Sequence, residues 1–517
     1  MESLAETPWD VTISGTGLGQ SLLALALSRS DKKILHVDKC PYYGGSEAAF
    51  SLQEAQEWAD NVNEEPGQSP FEDAEVHSPS DSRLSSSRAY TLSLSPHLIY
   101  SRSRLLPTLL SSKVYRQLEF QAVGSWWIFR PSEANSNLYR VPSSREDIFA
   151  DDFISAKSKR TLMKFLRHIG KPPRETEGET EGQSEEENLS MPFSEYLSSK
   201  FQVPAELHDP LLSLSLSQAS AQQTSVEYAV PRIKRHLASI GVFGPGFGSL
   251  LAKWGGGSEL AQVGCRALAV GGGVYVLNAG IESIASPSNF DNGDDARMQI
   301  KLSNGESIRT KFVVGSHWDL PGQMGNDQPS CEKAARSISV VSSSLESLFP
   351  ITAEGGPLPA GAVVVFPGSS LGQAEDSRPV YLLIHSSETG ECPTGQSVIY
   401  GSVRLSGPQG YSLLETAIQK LLESVGDAEA KVLWSLRYTQ LGRVGDVIDA
   451  AQALKSSSPS ESMICFPPLS LDHAFDDALL EMVKEAWKIV QGEEAIDEDF
   501  MKFEDREGVG DEETRSP

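Results

Sequence analysis

The sequence predicts an α/β protein: a Rossmann-type dinucleotide-binding fold with mixed sheets and an inserted all-helical domain. Three observations predict it. Residues 10–38 run "VTIS", "GTGLGQ", "SLLALALSRS" and "KKILHVD", which is strand, glycine turn, apolar helix and strand in βαβ order. Strand patterns return after residue 270, in "GVYVLNA" and in "ARMQIKLSNGESIRTKFVVGS", where Asn304-Gly305 supplies a hairpin turn. Helical periodicity fills the middle, in "AKSKRTLMKFLRHIG" and again around 192–238.

Each segment follows in order. Residues 1–120 and 225–490 are expected to form one discontinuous domain, with 121–224 as the helical insert. Within the first part, 60–87 ("DNVNEEPGQSPFEDAEVHSPSDSRLSSS") is low in complexity and expected to be disordered. Helix is expected in "SPHLIYSRSRLLPTLLSS", and an acidic linker at 171–190 interrupts the insert. Further strands are expected at 361–367, 379–385 and 397–404, then a last helix, "DDALLEMVKEAWKIV", and an acidic disordered tail over 491–517.

The net charge of -26 is concentrated in three stretches, 54–77, 171–190 and 491–517, which carry -8, -5 and -8. The rest of the chain is therefore nearly neutral, and runs of carboxylates repel nucleic acid. The five cysteines show neither CxxC nor metal spacing, and the histidines show no HxxxH pair, so metal chemistry has no support and the thiols read as reduced. No long apolar span or signal peptide is apparent, and a soluble cytoplasmic protein is expected. "GSSLG" at 368–372 matches a nucleophile elbow in letters, but "QAEDSRP" after it is not a helix start.

The glycine turn keeps part of its dinucleotide chemistry. Gly15 suits the tight turn, Gly17 opens the helix N-terminus to a pyrophosphate, and Asp38 stands where a ribose-binding carboxylate belongs. The third glycine is missing: Gln20 occupies its place and is expected to crowd the helix–strand contact. A closing "GD" turn is also missing, replaced by "CFPPLSLDHAFDDALL". The expectation is a retained nucleotide fold with no bound cofactor; a flavin oxidoreductase is the remote alternative.

Taken in order, "GTGLGQSLLALALS", "KKILHVDKCPYYGG", "LIYSRSRLLPTLLSSKVYRQLEF", "VPSSREDIFADDFISAKSKRTLMKFL" and "SELAQVGCRALAVGGGVYVLN" resemble the GDP dissociation inhibitor and Rab escort protein superfamily over roughly residues 8–490. The resemblance implies a flavoprotein-like domain and a helical domain that bind GDP-bound Rab GTPases in place of flavin. It implies no catalysis, and it implies Rab-binding roles for Tyr43 of "YYGG", Arg88 of "SRAYTL", Glu259 of "GGGSEL" and Arg266. Val274 and Val276 stand where the family has Thr and Met, and "GGGSEL" carries one residue more than the family's "YGLGEL". On the residues alone, Glu259 and Arg266 read equally well as an internal ion pair.

Two branches of the superfamily differ at a Phe and an Arg that dock the escort branch on Rab geranylgeranyltransferase. Phe149 of "DIFADD" and Arg160 of "KSKRTLMKF" match that pair, eleven residues apart, a spacing of about three helical turns that lets both lie on one helical face. The resemblance then implies an accessory of the transferase α/β heterodimer that holds the geranylgeranyl lipid of its Rab and touches membranes transiently. The recycling inhibitor is the alternative.

Overall fold

The computed structural model describes residues 4–80, 83–131, 138–170, 189–244, 246–285, 297–321, 331–351, 358–372, 378–444 and 449–504. The βαβ unit forms as expected, with strand β1 (Pro8–Ser14), helix α1 (Leu18–Leu27) and strand β2 (Ile34–Asp38). β1 pairs in parallel with β2 and with Ser307–Ser316, and Val274–Leu277 extends the sheet beyond β2. The Asn304-Gly305 hairpin joins Met298–Leu302 to Ser307–Ser316, and Met463–Phe466 adds a parallel partner. Among the described residues this sheet has seven strands.

Every residue of α1 is buried, because one face meets the sheet and the others meet helices Gly257–Val270 and Asp477–Gln491. Its leucines and alanines supply apolar surface on all sides, as full burial requires. Approach to Gly257–Val270 is at backbone distance: a Cβ on Gly264 would overlap the Ser21 carbonyl, and one on Gly271 the Ser28 carbonyl.

A second sheet, ten-stranded among the described residues, runs from Phe71–His77 through Val432–Gly442, Glu332–Val341, Ser397–Val403, Val380–Ser386 and Gly361–Phe366 to Phe120–Phe129, Ser249–Ala252 and Ile99–Tyr100. Two of its inner strands, Glu332–Val341 and Val432–Gly442, were not among those expected. Their small and hydroxyl residues blur the alternation, and burial comes from helix Gly407–Ser424 packed across the sheet.

The expected disorder at 60–87 is corrected. Helix Leu52–Glu64 starts on a capping box of Ser51 and Glu54, and strand Phe71–His77 follows it. Trp58 packs edge-on against Phe71 (5.1 Å) and Tyr438 (5.3 Å), while the Asn63 amide donates to the Ala74 carbonyl and accepts from its N–H, covering the edge strand. Two aromatic anchors outweigh an acidic average because the carboxylates line only the exposed face.

The helical insert is also shifted. Residues 120–129 form a sheet strand, and helix Val226–Ser239 packs with the insert, which therefore spans Arg145–Ala150 through Ser239. The linker at 171–188 and the tail beyond 504 lie outside the described residues. The start of the tail is ordered: Phe500 meets Trp487 at 5.6 Å, Arg29 lies 4.7 Å over Phe503, and Met501 is buried.

Because Gly264 touches the α1 backbone, Gly264→Ala is expected to lower stability by about 1–3 kcal/mol through overpacking. Urea denaturation checks this, and an unchanged midpoint would contradict the close crossing.

Candidate functional site

The site grows from the glycine turn between β1 and α1. Gly15 takes φ +83°, which only glycine adopts without strain, and its carbonyl accepts a hydrogen bond from His36 Nε2 at 2.7 Å. That bond fixes the tautomer: Nδ1 must accept, so the Tyr275 hydroxyl donates to it, also at 2.7 Å. Burial pushes His36 down to about 4, which keeps the ring neutral in this role. Tyr275 continues the line to Cys265, which also meets Ser21 of α1 at 3.5 Å.

Asp38 is turned inward. Its carboxylate accepts from the Thr16 N–H and hydroxyl, both at 2.7 Å, and from the Cys40 N–H at 2.8 Å. Thr16 Oγ1 in turn accepts the Gly44 N–H at 3.0 Å, and Gly17 and Gly44 form a parallel bridge. The "YYGG" loop is thereby bonded to the nucleotide turn. Gln20 does not crowd the strand as expected: its amide donates to Asp319 at 2.8 Å, and Gly19 makes the close approach to Phe466 and Leu479.

These residues do not fit a flavin dinucleotide. The Asp38 oxygens expected on a ribose are occupied by Thr16 and Cys40. A second carboxylate, Asp319, covers Gly15 where a pyrophosphate would approach; burial pushes it up to about 6. The remaining space beside the turn is about 80 Å³, against several hundred for a cofactor pocket. Helix Asp477–Gln491, which follows the missing "GD" turn, is occupied at its start: Asp477 accepts from Ser103, and Asp476 pairs with Arg443.

Above the turn the predicted partner-binding residues separate into groups. Tyr43 is half-buried, with its ring edge-on to Tyr275 at 6.2 Å. Helix Gly257–Val270 starts against the same loop, since Gly257 leaves no room for a Cβ beside Glu47. Glu259 lies half-buried in its first turn, and burial raises its carboxyl while the charge of Arg266 opposes that. Arg266 is exposed and donates to Gln117 Oε1 at 3.2 Å, so its hydrogen bond leads to the neighbouring turn and away from an internal pair with Glu259. Arg88 is exposed on a short turn, Ser87–Ala89, that leads into the Leu92–Ser93 strand paired with Ala49–Phe50.

Val274 and Val276 are not brought together with Tyr43. They pack towards the apolar cluster of Leu35 and Val37, and strand alternation turns Tyr275 between them to the His36 side. Tyr275, His36, Glu47 and Asp319 were missed in the sequence. For Tyr275 the period of two around the valines was the available signal.

Phe149 and Arg160 share no single helix, which corrects the one-helix expectation. Phe149 ends helix Arg145–Ala150, Arg160 lies in Ala156–Ile169, and Asp151 to Ser155 break the two. The two helices are joined where Lys159 Nζ donates to the Phe149 carbonyl at 2.8 Å. Phe149 is 54% exposed, with Arg145 5.5 Å over its ring, and Arg160 is exposed. A core role for Phe149 is excluded by that exposure.

Comparison with known proteins gives the family. The GDP dissociation inhibitor family profile matches residues 5–436, most of the sequence. The chain belongs to the GDP dissociation inhibitor family. Among relatives, a Candida albicans protein named Rab proteins geranylgeranyltransferase component A is 30% identical over 424 residues, covering 80% of this chain and 62% of that protein. The Saccharomyces cerevisiae protein of the same name is 28% identical, with 80% and 64% covered, so the chain spans under two thirds of these two relatives. A Drosophila melanogaster protein of that name is 28% identical over 89% of this chain and 84% of its own. The fold is shared with a solved Rab GDI from Plasmodium falciparum (TM-score 0.64, 18% identity, 94% and 98% covered) and with an oxidoreductase from Methanosarcina mazei (TM-score 0.55, 11% identity, 93% and 100% covered).

Two outcomes follow from this geometry. Purified protein is expected to show no visible flavin absorbance; stoichiometric bound flavin would contradict the occupied turn. Glu47 accepts from Leu18 N–H and its own N–H but among the described residues leaves Oε2 without a partner, and burial pushes its carboxyl from 4.5 up to about 8. The folded state therefore prefers the protonated acid, and that stability is present below 4.5 and lost as pH rises to about 8. Glu47→Gln should be more stable than the parent at pH 8, by about 1–3 kcal/mol, with the gap closing towards pH 5 in paired melts.

Proposed function

We propose that the chain is a Rab escort protein: it binds newly made GDP-bound Rab GTPases, presents them to Rab geranylgeranyltransferase, and delivers the prenylated product to membranes. It does so as a non-catalytic accessory. The observation that carries the reading is that Phe149 and Arg160 are both exposed, on two successive helices. An aromatic ring held at the surface, with an exposed guanidinium on the next helix, makes an interface anchor, because the ring desolvates large apolar area at low entropy cost and the Arg adds a charge-assisted bond. The names of the fungal and fly relatives support the same reading.

The Rab side of the proposal rests on Tyr43, Glu259 and Arg266 around the nucleotide turn, with Arg88 at the far end of the ribbon beneath it. Val274 and Val276 then sit in the edge strand itself and pack it towards Leu35 and Val37. For the lipid, support comes from a cavity of about 240 Å³ in the helical insert, walled by Val141, Ile148, Leu162, Leu166, Leu211 and Leu214. Ile148 faces that cavity while its neighbour Phe149 faces solvent, so one short helix borders both surfaces. Burying an isoprenoid there repays ~0.8 kcal/mol per CH₂, which is why a prenylated GTPase needs a carrier in water. Delivery implies brief membrane contact from a protein in the cytoplasm, and no described helix is long and apolar enough to cross a membrane.

A second reading, a Rab GDP dissociation inhibitor that recycles prenylated Rabs, is favoured by one relative: rat Rab GDP dissociation inhibitor beta is 26% identical over 313 residues, 59% of this chain and 62% of that one. Phe149 separates the two. Phe149→Ala should cost about 2 kcal/mol or more in transferase affinity and Arg160→Ala somewhat less, with Rab binding unchanged. Prenylation with the escort limiting reads the first effect and a Rab pull-down the second; normal prenylation by Phe149→Ala would move the assignment to the recycling inhibitor. Tyr43→Ala or Arg266→Ala should weaken Rab binding by about 1–3 kcal/mol in an otherwise intact fold, as measured by titration and melting together.

A further inference from the structure

Trp254 combines exposure with backbone strain. It is 47% exposed, yet its backbone is held at φ +66°, in the left-handed region that a bulky side chain avoids at a cost. Gly255 (φ +124°) and Gly256 (φ +64°) follow it, so three consecutive residues leave the usual backbone regions to set this one ring. The position is over-determined. Trp254 N–H donates to the Thr389 carbonyl at 3.0 Å, Gly390 lies so close beneath the ring that a Cβ there would strike it, and Lys253 Nζ sits 4.7 Å from its centroid. Among the described residues its indole N–H makes no hydrogen bond within the chain.

The ring also stands in a particular place. Gly255 packs on Ala49 and Thr91, Gly256 on Ser93, and Gly257 on Glu47, so the loop lies across the ribbon that joins the Tyr43 loop to the Arg88 turn. Five residues later comes Glu259. Trp254 and Glu259 thus flank the Gly255–Gly257 stretch that packs on the ribbon following the Tyr43 loop.

Strain held rigid at an exposed aromatic, with an unused donor, is the signature of a surface prepared before its partner arrives, since ordering costs are already met in the free protein. We propose that Trp254 is a further anchor of the GTPase interface, inserting its indole into an apolar recess on the partner rimmed by a carbonyl or carboxylate oxygen that accepts the indole N–H. This rests on the Rab-binding reading above. It adds the loop that packs on the ribbon to the contact made by the Tyr43 loop.

The experiment compares Trp254→Gly, Trp254→Phe and Tyr43→Ala by titration with a purified GDP-loaded Rab GTPase, with a melting temperature for each. Glycine adopts positive φ freely, so Trp254→Gly is expected to melt no lower than the parent while binding about tenfold or more weakly, and Trp254→Phe to recover most of the loss. Wild-type affinity in Trp254→Gly beside weak binding in Tyr43→Ala would overturn the anchor and leave the platform standing. Unchanged affinity in both would remove the platform reading as well. Should the glycine variant melt lower, oxidative footprinting of the unaltered protein decides: Trp254 is expected to be protected in the complex, and equal oxidation with and without the GTPase would falsify the proposal.

Discussion

The carboxylate of Asp38 is the constraint on which the rest of the molecule depends. Sitting at the end of β2, it takes three N–H or O–H donors from Thr16 and Cys40, and through Thr16 it holds the Gly44 N–H. In a dinucleotide-binding protein a carboxylate in this position faces a ligand. Here it closes a protein loop on a protein turn. Burial raises the cost of its charge, and the donors around it offset that cost, so any ligand competing for Asp38 would have to displace bonds already made in a desolvated site.

Fixing that loop positions everything above it. Gly15 and His36 orient Tyr275, Tyr275 supports Tyr43, and Cys265 carries the same line into helix Gly257–Val270, where Glu259 and Arg266 reside. The helix is pressed onto α1 at glycine distance, so its side chains are displayed from a backbone that has little freedom to shift. On the other side of the molecule the helical insert is tied down by polar bonds: Asp472 accepts from Tyr228 at 3.0 Å and Arg232 at 2.8 Å, and Gln218 and Arg336 both reach the Leu471 carbonyl at 2.7 Å. The helical insert that carries Phe149 is therefore bonded to the part of the chain that carries Tyr43.

The strand order and the glycine turn determine the sheet, whereas a third glycine and a closing turn are needed only where a dinucleotide is held. Here Gln20 binds Asp319, and the helix start at Asp477 binds Ser103, so both positions are engaged within the chain.

Much of this was legible in the sequence. The βαβ order, the hairpin at Asn304-Gly305, the helical insert and the family resemblance all rest on local patterns, which neighbours in sequence are enough to define. Motif alone also singled out Tyr43, Glu259 and Arg266, whose roles remain part of the proposal. What local pattern did not carry was decided by tertiary contact. Strands Glu332–Val341 and Val432–Gly442 are strands because a helix and a sheet bury them, and residues 60–77 are ordered because Trp58 finds Phe71 and Tyr438. Phe149 and Arg160 were expected on one helix, but the chain breaks between them at Asp151–Ser155, and the two helices meet through the Lys159 bond and the apolar cluster of Ile148 and Leu162. The inward turn of Asp38 and the outward, strained setting of Trp254 depend on partners 22 and more than a hundred residues away, Thr16 and Thr389. Sequence alone named the residue types; distance in the chain hid which of them would meet.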